Sequence, residues 1–159
     1  MPGRDFQKVF EQFRHLRVMV IGDVMVDAYI FGKVERISPE APVPVVSVEK
    51  RANRLGGAAN VALNLKSLGA EPLLCSVVGN DPKGKEFLQL LADADISGDH
   101  ILTSNDRITT TKFRVIGNKT QMLRVDEETT HDLNAGDQSA LLHMIGEMME
   151  NSSINAIIF

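Results

Sequence analysis

Two stretches of this sequence put acidic and small residues where a polar ligand could be held. Asp23 and Asp27 follow an apolar run, RVMVI at residues 17–21, that reads as a buried strand. Ligands of open α/β sheets bind beyond the carboxyl ends of such strands, and a carboxylate there can accept hydrogen bonds from several hydroxyls of a sugar. Loop capping explains the same two residues without a ligand. Further on, Gly56, Gly57, Ala58, Ala59 and Asn60 stand where an extended segment meets a helix. Small residues let a ligand approach the backbone, and the free amides of a first helical turn can meet hydroxyls or anionic oxygens. A tight turn with glycines used only for packing is the alternative.

A third group is cationic. Lys112 and Arg114 share one face of a run with period-two alternation, and Arg124 shares a face of the next run with Met122 and Asp126. Together the three cations could grip a phosphate, arginine through paired donors and lysine as a point charge. A solvated strand face fits the pattern too, and Arg36 carries the same ambiguity. Residues 79–85 (GNDPKGK) match G-x-x-x-x-G-K. Yet Glu86 stands where a hydroxyl would hold magnesium, Pro82 lacks an amide donor, and Asp81 brings the wrong charge. Asp81 as a helix N-cap with Pro82 at the first helical position accounts for that loop.

Other chemistries find little support. His15, His100, His131 and His143 form no i,i+3 or i,i+4 pair, and no G-x-S-x-G occurs. The first strand is not followed by G-x-G-x-x-G, which disfavours a dinucleotide-dependent oxidoreductase. Cys75 falls inside an apolar strand and reads as a small core residue. Asp126, Glu127 and Glu128 read as an exposed strand exit.

The elements that position these residues follow from periodicity. Phe6, Val9, Phe10 and Phe13 predict a short amphipathic helix before the first strand. A second extended stretch passes through Ala28 to Phe31. Pro39, Pro42 and Pro44 keep the next segment out of helix and central strand, so residues 43–48 read as an edge strand. Val61, Leu65 and Leu68 mark a helix ending at Gly69; residues 73–78 form a buried strand; Phe87, Leu90, Leu91 and Ala94 form the inner face of the helix begun at Asp81. Residues 109–116 and 120–125 make a β-hairpin around Gly117-Asn118, with glycine supplying the unusual backbone angle. A helix over 135–149 turns Leu141, Leu142, Ile145 and Met148 to a core, and residues 154–159 open another buried strand.

Composition bounds the partners. The chain has 159 residues, 43% hydrophobic, with 17 Lys+Arg against 21 Asp+Glu, a net charge of 17 − 21 = −4. That balance disfavours broad adhesion to nucleic acid or anionic membrane. One cysteine excludes an intrachain disulfide and a multi-thiolate metal site. The N-terminus lacks a signal-peptide core, and no apolar run approaches the roughly 20 residues that span a bilayer. A cytoplasmic protein with neither a nucleic-acid nor a membrane partner is expected.

Residues 20–46 (VIGDVMVDAYIFGKVERISPEAPVPVV), 56–70 (GGAANVALNLKSLGA) and 110–128 (TTKFRVIGNKTQMLRVDEE) together resemble the ribokinase-like, pfkB-type carbohydrate kinases. Within them the chain is similar to the kinases that act on a heptose 7-phosphate in ADP-heptose and lipopolysaccharide core synthesis. The resemblance implies an α/β, Rossmann-like body with a small β lid over a sugar site. It places Asp27 at the acidic sugar-binding position, with Asp23 beside it, and Gly56, Gly57 and Asn60 in the substrate loop. Lys112, Arg114 and Arg124 then fall on the lid, where they are expected to meet the sugar's phosphate. The implied reaction moves the γ-phosphoryl group of ATP, with Mg2+, to the anomeric hydroxyl of D-glycero-D-manno-heptose 7-phosphate. Its base belongs to a Gly-Ala-Gly-Asp motif that these residues do not contain. Residues 1–159 are therefore expected to be the N-terminal part of a kinase domain, inactive without the ATP-binding part, and to form a homodimer through the lid. A noncatalytic sugar-phosphate-binding or dimerisation module is the alternative.

Overall fold

The computed structural model describes residues 6–159; residues 1–5, read above for the missing signal-peptide core, lie outside the described residues. The chain runs α1 (Phe6–Phe13), β1 (Arg17–Ile21), β2 (Val24–Ile37), β3 (Pro44–Gly57), α2 (Ala58–Ser67), β4 (Glu71–Gly79), α3 (Pro82–Asp93), β5 (Ile101–Ser104), β6 (Thr111–Gly117), β7 (Thr120–Glu127), α4 (Ala135–Asn151) and β8 (Ala156–Ile158). Two sheets result. The body sheet has the order β5-β4-β1-β8 with all pairings parallel. The lid sheet has the order β3-β2-β6-β7, mixed because β2 pairs antiparallel with β3 and parallel with β6.

The unbroken apolar run of β1 follows from its central place in a sheet covered on both faces. Val20 joins Leu74, Phe87 and Leu91 in a core beneath α2 and α3. Its neighbour Met19 points the other way, to Leu73, Cys75 and Met148 beneath α4. Fully burying a side chain the size of Phe87 contributes roughly 2–3 kcal/mol. The start of β1 is fixed by pairing with β4, where Arg17 Nε and Nη2 donate to the Glu71 carboxylate at 3.0 and 3.1 Å.

Strand β2 connects the two sheets physically. Its first half is body core, with Val24 and Val26 buried, and its second half runs out as the middle of the lid. Both long lid strands exceed their sequence expectation: residues 28–31 lie within one 14-residue strand, and residues 44–48 of the expected 43–48 open another. The polar stretch Glu49–Arg54 (EKRANR) hides the continuation of β3, because one face of the lid is solvated and apolar alternation is lost. The edge assignment of β3 is right.

Three further expectations are corrected. The hairpin turn carries its positive φ on Asn118 (51°) and Lys119 (68°), not on Gly117. Gly117 is needed for space instead, since a Cβ there would stand 2.6 Å from Val34 Cγ2. Leu142 points to solvent, and Met144 takes its expected place in the core. Strand β8 is an exposed edge, not a buried strand. The helix α1 forms as expected, but its Phe6 and Phe10 are exposed.

Candidate functional site

The acidic and glycine-rich stretches meet where β2, β3 and α2 converge. In the β2–β3 ladder Asp27 faces Arg54 and Met25 faces Gly56. A Cβ on Gly56 would stand 2.6 Å from Asp27 Oδ2 and 2.7 Å from Met25 Cγ, so the Asp27 carboxylate rests against bare backbone. Gly57 has φ 58°, and a Cβ there would come within 2.3 Å of the Asp23 carbonyl oxygen. That carbonyl accepts the Ala58 N–H at 2.9 Å, which pins the loop after β1 to the start of α2. No side chain caps α2. The Asn60 amide is exposed in its first turn and has no partner among the described residues. Amides at a helix N-terminus favour oxygen acceptors through both hydrogen bonding and the helix dipole.

One oxygen of Asp27 is engaged: Oδ1 accepts from Arg114 Nη1 at 2.5 Å. The other, Oδ2, lies on Gly56 with no donor of its own. Arg114 also donates to the Lys112 carbonyl at 3.3 Å and holds its guanidinium 5.4 Å from the Tyr29 ring centroid. Tyr29 in turn stacks on Phe31. The structure thus brings together Asp27, Gly56 and Arg114, with Gly57 next in the chain and Asn60 in the first turn of α2. The Asp23 carboxylate is exposed and makes no contact with them; it lines a separate cavity of about 90 Å³ with Ile21, Ser76 and Arg107.

The expected phosphate grip is differently wired. Lys112 Nζ meets Asp126 at 2.9 Å and Glu128 at 3.2 Å, while Arg124 Nε meets Asp126 at 2.9 Å. Hydrogen bonding to Asp126 raises the Lys112 pKa, and the Lys112 hydrogen bond lowers that of Asp126. Asp126, read from sequence as a strand exit, is the hub of this face. Lys112, Arg114 and Arg124 each have a carboxylate partner already, so an arriving phosphate must compete with Asp27 or Asp126 for them.

The loop at residues 79–85 is closed. Asp81 caps α3, accepting from Gly84 N at 2.7 Å through Oδ1 and from Thr109 N at 2.7 Å through Oδ2. Burial alone would raise the Asp81 pKa, but these backbone donors outweigh it and hold the carboxyl below the usual carboxylate range. Among the described residues no three His, Cys, Asp or Glu side chains converge where they could hold a metal ion. Cys75 is buried, which pushes its thiol up to about 11. A cavity of about 570 Å³ at the amino end of β4, lined by Lys66, Glu71 and Asp95 among others, contains none of the candidate residues. No helix is long and apolar enough to cross a membrane.

A sequence profile of the pfkB family carbohydrate kinases matches residues 15–152. The bifunctional protein HldE of Helicobacter pylori strain HPAG1 is 48% identical over 134 residues, which is 84% of this chain and 29% of that protein. A D-beta-D-heptose 7-phosphate kinase of Bordetella bronchiseptica is 50% identical over 118 residues, 74% of this chain and 37% of that one. The chain thus spans about a third of the length of these relatives. Among solved structures, a carbohydrate kinase from Agrobacterium tumefaciens superposes with a TM-score of 0.56 at 21% identity, over 70% of this chain and 35% of that one.

Proposed function

The chain belongs to the pfkB family of carbohydrate kinases, and from that membership we propose that its residues form the sugar-holding part and lid of a kinase. The reaction of that kinase is transfer of the γ-phosphoryl group of ATP, with Mg2+, to the anomeric hydroxyl of a heptose 7-phosphate. The observation that carries this reading is the meeting of an open carboxylate oxygen with open donors. Asp27 Oδ2 can accept from sugar hydroxyls, and the first turn of α2 with Asn60 can donate to them. A sugar hydroxyl both donates and accepts, so a site offering both groups on a glycine-lined wall suits it. The choice of a heptose 7-phosphate is supported by the motifs of residues 20–46 and 110–128 and by the activity for which the Bordetella relative is named.

In this reading the residues on hand bind and orient the sugar. The base that accepts the hydroxyl proton and the groups that hold ATP are not assigned to any of them, so the 159 residues by themselves bind sugar phosphate without turning over ATP. The lid also supports a homodimer. Register places Ile30, Val34, Val48, Val115, Leu123 and Val125 on the lid face opposite Asp27, and Val48, Leu123 and Val125 are 50%, 55% and 45% exposed. A sheet normally covers such a face, and a second lid is the proposed cover. The lone buried cysteine suits the reducing cytoplasm.

Calorimetric titration of the 159-residue chain tests the site. Heptose 7-phosphate is expected to bind wild type, and Asp27→Asn to weaken it about 10- to 100-fold, the worth of charge-assisted hydrogen bonds. Unchanged affinity in Asp27→Asn, or ATP-dependent phosphorylation of the sugar by the purified chain, would overturn the reading.

A further inference from the structure

Around Asp27 on the lid face stand four cations and three carboxylates, with Lys50 further out on the same face. Arg114 is paired with Asp27, and Lys112 and Arg124 share Asp126 and Glu128. The fourth cation, Arg54, is exposed and has no carboxylate within ion-pair distance, although it stands opposite Asp27 in the β2–β3 register. Its guanidinium lies instead 5.2 Å from the centroid of the Tyr29 ring, the ring that Arg114 approaches at 5.4 Å. Two guanidinium groups therefore converge on one aromatic ring, next to the carboxylate proposed to hold the sugar.

This arrangement has a specific chemical consequence. Contact with a π face orients a guanidinium without using its N–H donors, so Arg54 keeps all five for a ligand. Lys112, Arg114 and Arg124 are each neutralised by a carboxylate, so the unpaired positive charge beside Asp27 is that of Arg54. A phosphate monoester carries about −1.5 to −2 charges at neutral pH and matches the planar donor fork of arginine. Tyr29 lies two residues beyond Asp27 along β2, about 7 Å further out from the glycine turn. An anion held at that ring is thus separated from the hydroxyls at Asp27 in the way a terminal phosphate is separated from a sugar ring.

We infer that Arg54, sharing the Tyr29 ring with Arg114, is the residue that distinguishes a phosphorylated sugar from its neutral counterpart. The inference rests on the sugar site proposed above and deepens it, since the sequence put forward Lys112, Arg114 and Arg124 for the phosphate and not Arg54. Arg54 lies in the polar stretch of β3 that carries no motif, and only the register with β2 brings it to the site.

The test compares heptose 7-phosphate with unphosphorylated heptose on the 159-residue chain by calorimetry, in wild type, Arg54→Gln, Arg54→Lys and Lys50→Gln. Lys50 is an exposed cation four residues away on the same strand, opposite Phe31, and serves as the control for simple loss of charge. Arg54→Gln should weaken the sugar phosphate about 10- to 100-fold, leave the neutral heptose unchanged, and flatten the salt dependence of binding. Arg54→Lys should recover part of the loss, and Lys50→Gln should leave the ratio of the two affinities as in wild type. If the neutral heptose binds too weakly to titrate, inorganic phosphate replaces it as a competitor, effective against wild type and ineffective against Arg54→Gln. Equal losses for both ligands, an undiminished sugar-phosphate affinity in Arg54→Gln, or the same effect from Lys50→Gln overturns the inference while leaving the sugar site intact. Failure of wild type to bind either ligand overturns the site itself, and the inference with it.

Discussion

Replacing Gly56 by alanine should damage the sugar site through Asp27, and the structure gives both the size of the effect and a way to isolate it. The added methyl would stand 2.6 Å from Asp27 Oδ2, 2.9 Å from Asp27 Cγ and 2.7 Å from Met25 Cγ. No real Cβ tolerates such distances, so the carboxylate must move off the wall it leans on and away from Arg114. Overpacking of this kind costs about 1–3 kcal/mol, offset by roughly 0.4–1 kcal/mol because alanine restricts the unfolded chain. Gly56 does not have the left-handed backbone of Gly57, so no φ strain adds to the sum. The net expectation is a destabilisation of about 0.5–2 kcal/mol by urea unfolding, with a fall in heptose 7-phosphate affinity comparable to that of Asp27→Asn. Two of the three close contacts belong to Asp27. Gly56→Ala introduced into an Asp27→Ala background should therefore cost less, with a coupling energy of about 0.5–1.5 kcal/mol. The cycle cancels the separate loss of the Arg114 ion pair. Additivity within about 0.3–0.5 kcal/mol, or full sugar affinity in Gly56→Ala, would refute the claim that the glycine exists to seat the carboxylate.

Two further expectations concern the body and the lid. Asp81→Ala removes the acceptor of two backbone N–H groups, Gly84 and Thr109, and should cost about 2–3 kcal/mol at pH 7, a lost cap plus a donor left unpaired. Because the folded state depresses the Asp81 pKa, its contribution is complete above the unfolded value near 3.8 and is lost as pH falls through the lower folded value. The stability gap between wild type and variant should therefore narrow on acidification to about pH 3, and a gap that stays constant contradicts the assignment. For the lid, Leu123→Glu places a charge on the exposed apolar face and should convert a dimer into a monomer in sedimentation equilibrium without changing sugar affinity. A wild-type monomer, or a variant that remains dimeric, rules out that face as the interface.

What was legible in the sequence was local. Asp81 and Pro82 announce the start of α3 because a cap and a first-turn proline act on the next three residues, and both stand as expected. The apolar runs of β1 and β4 are legible because a strand covered on both faces needs no partner to explain its composition. Strand β5 has neither advantage. Its four residues are strand because Ser76–Gly79 offer a parallel ladder to Ile101–Ser104, a pairing 25 residues distant in sequence. The lid charges fail for a related reason. Period two shows that Lys112 and Arg114 share a face, but only the register Lys112↔Asp126 and Arg114↔Arg124 decides which cation meets which carboxylate. Asp126 becomes a hub, and Arg54 is left over, through cross-strand neighbours that no short motif encodes.

The two glycine-bearing helix starts show why similar sequence cues end in different roles. Both α2 and α3 follow a strand that ends in glycine, and both offer a positive helix end to an anion or a hydroxyl. At α3 the protein supplies its own anion: Asp81 occupies the N-terminus, Pro82 removes one donor, and Thr109 ties the carboxylate to the root of β6. A phosphate there would displace a carboxylate that already satisfies two backbone donors, with a net loss of interactions on exchange. At α2 the N-cap is Gly57, which has no side chain to offer, while Asn60 adds an amide that nothing else uses. The Asp27 carboxylate is turned toward Arg114 through one oxygen and lays the other against Gly56. Unused donors and a half-used acceptor are therefore both present at α2, whereas at α3 donors and acceptor satisfy each other. Hydroxyl-rich ligands can gain from the first arrangement and not from the second, which is the physical ground for placing the sugar at Gly56–Asn60 rather than at the loop that resembles a phosphate-binding motif.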